Sequence, residues 1–147
     1  ALEAQLAQSE ADQAAEVAQA PPVEDAEAAM QQAYAAGGWE ATAKEKFMLC
    51  VPCHAADGGG TIGPNFTDDY YIHGGRLTDM RRIITEGVPT KGMISWKSML
   101  KPEEVDALAF YIRSLRGTTP AVAKAPEGQL VDEAGNFLED APAPADE

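Results

Sequence analysis

Several kinds of residue are scarce in this sequence, and each scarcity excludes something. No run of about 18 apolar residues occurs, which excludes a membrane-spanning helix in this stretch of chain. Lysine and arginine are missing from residues 1–43 and again from residues 125–147, where eight and seven acids lie. All eleven basic residues fall within residues 44–124, against nine acids. The net charge of −13 therefore sits at the two ends, and the middle is nearly neutral. Such ends repel nucleic acid and anionic membranes and can steer a basic partner, or they act simply as solubilising tails. Residues 1–20 lack the basic start and continuous apolar core of a signal peptide and carry acids, so any targeting signal or anchor is expected to be removed or never present. Convincing strand alternation and internal repeats are also missing. There are only two cysteines and two histidines.

The remaining pattern divides the chain in three. Residues 1–36 are rich in Ala, Gln and Glu and broken by Pro21-Pro22, which predicts a partly helical extension, docked or mobile, without a core of its own. Residues 37–117 form the predicted domain. A first helix is expected from Trp39 or Glu40 to Cys50, with Trp39, Ala43, Phe47 and Cys50 on one side. A glycine-rich loop from Asp57 to Pro64 follows. Thr67 or Asp68 is placed to cap a short helix ending at Gly74-Gly75. Leu77, Met80, Ile83 and Ile84 mark an amphipathic helix that stops at Gly87, and its Arg81 and Arg82 are expected on a solvated face. The last helix is the clearest. Pro102 opens it, acids fill its first turn, Val105, Leu108, Ala109, Ile112 and Leu115 make its stripe, and Gly117 closes it. Residues 118–147 read as an acidic tail, extended or disordered, touching the surface at Leu130, Val131, Phe137 and Leu138. A domain of about 80 residues with short helices and many glycines is thin in apolar mass, so something else is expected at its centre.

The stretch "CVPCH" supplies a candidate. Both thiols, Cys50 and Cys53, lie two residues apart, with His54 directly after. Cys-x-x-Cys-His is the attachment signature of a c-type haem. Residues three apart at a helix end face the same way, so both sulfurs can form thioethers to one porphyrin edge while His54 offers its imidazole to the iron. Rival readings are a zinc site, a redox dithiol and a plain disulfide. Zinc wants four ligands at finger-like spacing, a thioredoxin-type dithiol belongs to a strand-helix unit, and a disulfide across two residues constrains almost nothing.

A six-coordinate electron carrier needs a second axial ligand. The candidates are Met48, His73, Met80, Met93 and Met99. Met48 is too close in sequence to reach the opposite face, and the apolar stripe accounts for Met80. Met93 follows Gly92 in a loop where no periodicity explains it, and is the expected ligand, with Met99, His73 or no ligand as alternatives. A neutral thioether favours ferrous iron and raises the potential. The carbonyl of Gly63 or its neighbour is expected to accept the free ring N–H of His54, with Pro64 pressing on the imidazole. Trp96, Tyr70, Tyr71 and Arg76 are candidates for the propionate edge, or for simple packing.

These residues together resemble a class I cytochrome c over about residues 38–117. More narrowly, "GPNFTDDYYIHGG" followed by "GVPTKGMISWKSMLKPEEVDALAFYIRSLRGT" resembles the cytochrome c domain of the diheme subunit of cbb3-type haem-copper oxidases. The resemblance implies an all-α fold of four to five short helices around one covalent haem c. It also implies His54 and Met93 as axial ligands and electron delivery toward an oxygen-reducing centre. The implied partners are a quinol-oxidising complex as donor and a terminal oxidase as acceptor. Covalent attachment implies maturation in the periplasm or its equivalent. The chain departs from the pattern in having one attachment motif, no span, Ile94 after Met93, and acidic ends. A haem subunit of an alternative complex III, a haem-based sensor or peroxidase-like protein, and a non-redox tethering protein are the rival functions.

Overall fold

The structure is a computed structural model that describes residues 22–138. Its first element, α1 (Val23–Ala36), begins after extended Pro22 with Glu24 and Asp25 in the first turn, where acids suit the positive end of the helix dipole. It ends at Gly37, whose φ of +72° a side chain would strain. This helix is docked. Met30 is buried, Tyr34 stacks on Trp39 with centroids 5.6 Å apart, and both rings touch Phe110. The described part of the predicted extension therefore belongs to the core of the domain. Residues 1–21 lie outside the described residues.

Helix α2 (Glu40–Phe47) buries Ala43 and Phe47. It stops short of the predicted end at Cys50, and a separate single turn, α3 (Val51–His54), follows. The cause is Pro52. In a continuous helix its missing N–H would leave the Met48 carbonyl unpaired and its ring would clash there. Instead Leu49 and Cys50 donate to the carbonyls of Lys46 and Phe47 in a tightened turn.

The helix expected between Thr67 and Gly74 does not form. Asn65 Oδ1 accepts the Thr67 N–H, and Asp68 Oδ1 accepts the Tyr70 N–H, so side chains take the backbone donors a helix needs. Tyr70–Tyr71 is instead a short strand, β1, paired antiparallel with β2 (Gln129–Leu130). The pairing was not foreseen because half of it lies beyond the last helix. Val131 is buried beside it, so the segment after the last helix is anchored on the domain at this point.

Helix α4 (Leu77–Glu86) runs as expected to Gly87 and buries Leu77, Met80 and Ile84. Helix α5 (Pro102–Leu115) starts on Pro102 and buries Val105, Leu108, Ala109, Phe110 and Ile112. It packs against both α2 and α4, and α1 lies against α4. Phe47 of α2 meets Tyr111 of α5 edge-on at 4.8 Å. Lys46 pairs with Glu104 at 3.1 Å across the same seam. Arg81 is not on a free solvated face. Its guanidinium holds both oxygens of Asp106 at 2.7 and 3.0 Å and ties α4 to α5.

Candidate haem site

The attachment turn is built by α3. The His54 N–H donates to the Cys50 carbonyl at 2.9 Å, and the Cys53 N–H to the same carbonyl at 3.2 Å. One turn thus presents both sulfurs and the imidazole. Burial, then the neighbouring Cys53, pushes the Cys50 thiol up to about 11. A reactive redox dithiol runs the other way, with a depressed thiol pKa.

His54 is buried, and its Nδ1 lies 3.0 Å from the Pro64 carbonyl. A carbonyl only accepts, so Nδ1 carries the proton and Nε2 keeps its lone pair. Burial lowers the pKa of the imidazole and outweighs the Pro64 bond, which raises it, so the neutral form is favoured. A neutral ring with Nδ1–H anchored and Nε2 free is the form that ligates haem iron.

The ring is held on two sides. Phe66 stacks on it with centroids 4.1 Å apart and planes 17° apart. A Cβ on Gly63 would fall 2.5 to 2.8 Å from the imidazole atoms, so that position has room only for glycine. The loop itself is tied to the turn: Gly60 N–H donates to the His54 carbonyl at 2.9 Å and Gly63 N–H to that of Cys53 at 2.7 Å. The anticipated carbonyl is therefore that of Pro64, the neighbour of Gly63. The ring stacked on the imidazole is Phe66, which sequence reasoning missed. Its only signal was an aromatic two residues after Pro64.

Met93 lies in a tight hairpin. Its N–H and C=O exchange hydrogen bonds with Val88 at 3.1 and 2.8 Å. The hairpin is tied to α4, because Trp96 N–H donates to the Ile84 carbonyl at 3.1 Å. A Cβ on Gly87 (φ +74°) would collide with the backbone of Ile94 and Ser95. Met93 is half-buried against the core cluster that Cys50, Phe66 and Trp96 also border. Of the other candidates, Met80 is inside the core, while Met48, Met99 and His73 are exposed.

Arg76 does not face this turn. Its Nε donates to Asp79 at 3.2 Å, and it lines an open cavity of about 930 Å³ with Glu27, Arg113 and Arg116, away from the cysteines. The Tyr70 backbone pairs with Leu130 in the short ribbon. The Tyr71 hydroxyl is buried with no partner among the described residues.

The donor set fits a covalently held haem: two thiols on one turn, a neutral anchored imidazole and a half-buried thioether on the margin of the same core. A family model described as cytochrome c oxidase, cbb3-type, subunit III matches residues 33–112. The cbb3-type cytochrome c oxidase subunit FixP of Azorhizobium caulinodans is 37% identical over 79 residues, which cover 48% of this chain and 27% of the relative. Subunit CcoP of Rubrivivax gelatinosus is 38% identical over 84 residues, covering 55% and 27%. This chain thus matches about a quarter of the length of these relatives. Cytochrome cL from Methylophaga aminisulfidivorans aligns with a TM-score of 0.50 at 21% identity, over 60% of this chain and 72% of that one. That likeness concerns the fold, a class I cytochrome c fold. Among the described residues no helix is long and apolar enough to cross a membrane. The match over residues 33–112 makes this chain a c-type cytochrome of the cbb3-type oxidase subunit III family.

Proposed function

We propose that this chain carries one haem c and passes single electrons between respiratory redox partners, toward a haem-copper terminal oxidase. In this reading Cys50 and Cys53 would hold the haem through thioether bonds, and His54 and Met93 would hold its iron. The observation that carries it is the His54 tautomer: a buried ring with Nδ1 bound to the Pro64 carbonyl and Nε2 left to bind, directly after Cys53 on the turn that also carries Cys50. A haem held there supplies a one-electron ferric/ferrous couple.

The residues of the chain set the conditions for that couple. The Pro64 carbonyl orients His54 and makes it a stronger donor. Phe66 and Gly63 fix the plane of the imidazole. The Val88–Met93 bridge fixes the backbone that carries the thioether, which limits rearrangement on electron transfer. The chain itself performs no bond-making chemistry. The donor would be a quinol-oxidising complex, and the place of work the periplasm, where such attachment occurs.

Two relatives named as oxidase subunits favour work inside or beside a membrane complex. A resident subunit and a freely diffusing shuttle are separated by affinity capture from membranes: a subunit co-purifies in fixed ratio with oxidase, and a shuttle does not. The core proposal is tested by intact mass and spectrum of the matured protein. One covalently added haem and a low-spin reduced spectrum without carbon monoxide binding are expected. An unmodified chain would refute it, and a readily carbonylated iron would favour a sensor.

A further inference from the structure

The segment after α5 reads in the sequence as a tail, yet it is bonded to the loop that carries the histidine's acceptor. Asp57 Oδ2 accepts the Ala121 N–H at 2.9 Å while Oδ1 accepts that of Gly59 at 3.0 Å. The Lys124 N–H donates to the Gly59 carbonyl at 2.8 Å. The Lys124 carbonyl accepts Asn65 Nδ2 at 3.1 Å, and its ammonium reaches the Ile62 carbonyl at 3.0 Å. Four contacts therefore join residues 120–124 to residues 57–65 across more than half the domain in sequence. The approach is backbone to backbone: a Cβ on Gly59 would lie 2.3 Å from the Val122 carbonyl oxygen and 2.9 Å from Pro120 Cβ.

Asn65 is the pivot. It is buried, it follows Pro64 directly, and its Oδ1 holds both the N–H and the hydroxyl of Thr67. Its amide is thus bonded on one side to the strap and on the other to the chain leaving the loop. The Pro64 carbonyl, the acceptor for His54, lies between Asn65 and the bonds of Gly60 and Gly63 to the attachment turn.

We propose that residues 120–124 are a positioning strap for His54: by clamping the 57–65 loop they hold the Pro64 carbonyl on Nδ1–H and so set the donor strength of the axial imidazole. This rests on the reading that His54 ligates iron. A firm Nδ1–H bond makes the ring more electron-rich and favours ferric iron. Releasing the strap weakens that bond, favours ferrous iron, and raises the midpoint potential. Asp57, Gly59 and Asn65 are positioning residues on the loop, and Ala121 and Lys124 are their partners on the strap.

The test uses the full, haem-loaded chain and two charge-neutral variants. Gly59→Ala pushes the strap away, and Ala121→Pro removes the N–H given to Asp57. In each, hydrogen exchange of the His54 ring N–H is followed by NMR, with midpoint potential and melting temperature. The expected result is ring N–H exchange faster by about tenfold, the scale of one or two lost hydrogen bonds, with a raised potential and unchanged axial ligation. A lowered melting temperature with unchanged ring exchange and potential in both variants overturns the proposal and leaves the strap as packing alone. If wild-type iron is not ligated by His54, the reading beneath the proposal fails and takes the strap's role with it. That result is visible in the unmutated protein before either variant is made.

Discussion

At the scale of single residues, the site is defined by what fits around one imidazole. Gly63 is needed for space. Adding a methyl there places carbon inside contact distance of the His54 ring. Gly63→Ala is expected to cost about 1–3 kcal/mol, the usual range for overpacking, and to disturb the His54 ligand field. Chemical denaturation and the ferric spectrum check this, and a variant matching wild type in both would contradict the geometry. With Met93 as the proposed second ligand, Met93→Ala is expected to lower the potential and admit carbon monoxide, because a thioether would favour ferrous iron and would close the sixth position. Met99→Leu, at a side chain 57% exposed, is expected to change neither. Equal effects from the two substitutions would remove Met93 from its assigned place. The candidates at this scale were legible beforehand. The cysteines, His54 and Met93 follow from spacing and from a methionine that no periodicity explained. Phe66 and Asn65 were not legible, because their work depends on where the loop folds back.

At the scale of elements, the long periodic helices were readable and the short or capped ones were not. Helices α4 and α5 have strong stripes with glycine or proline at their ends, so local signals agree. The helix through Cys50 failed because Pro52 outweighed the stripe, and the one after Thr67 failed because Asn65 and Asp68 captured its donors. No sequence signal disclosed that α1 caps α4. Glu27 accepts the N–H groups of Leu77 and Thr78 at 3.3 and 2.9 Å, and the Thr78 hydroxyl at 3.0 Å. Burial alone would raise its pKa, but the bonds from Thr78, Gln31 and Leu77 together lower it below the ordinary 4.5. A depressed carboxylate pKa means the unfolded chain takes up the proton first as pH falls. The stability Glu27 provides is therefore complete above about pH 4.5 and is lost as pH drops through the folded value. Glu27→Gln is expected to cost about 1 kcal/mol at neutral pH, with the gap to wild type closing in acid. Urea midpoints at several pH values test this, and a gap that is constant or widens in acid would contradict the cap.

At the scale of the whole molecule, charge distribution and packing beyond the expected domain govern behaviour. The acids gather at the ends of the sequence, while the basic residues stay in the middle. Encounter with a basic redox partner is expected to slow as salt rises and the screening length shrinks from about 30 Å at 0.01 M to about 8 Å at 0.15 M. Stopped-flow electron transfer measures this, and a rate indifferent to salt would confine the acids to solubility. The thin apolar core anticipated from composition is supplemented by Met30, Tyr34 and Val131 from outside the predicted domain. The domain expected from the sequence spans residues 37–117, between Gly37-Gly38 and Gly117. The chain nevertheless continues to pack beyond them, through one buried methionine, an aromatic trio and a two-residue ribbon.

The central claim concerns iron held between His54 and Met93, and X-ray absorption at the iron edge of the matured protein tests it most directly. A first shell of nitrogens with a single sulfur is predicted, and replacing Met93 with alanine should remove that sulfur. A shell without sulfur in the unmodified protein, or a sulfur that survives the substitution, would contradict the account.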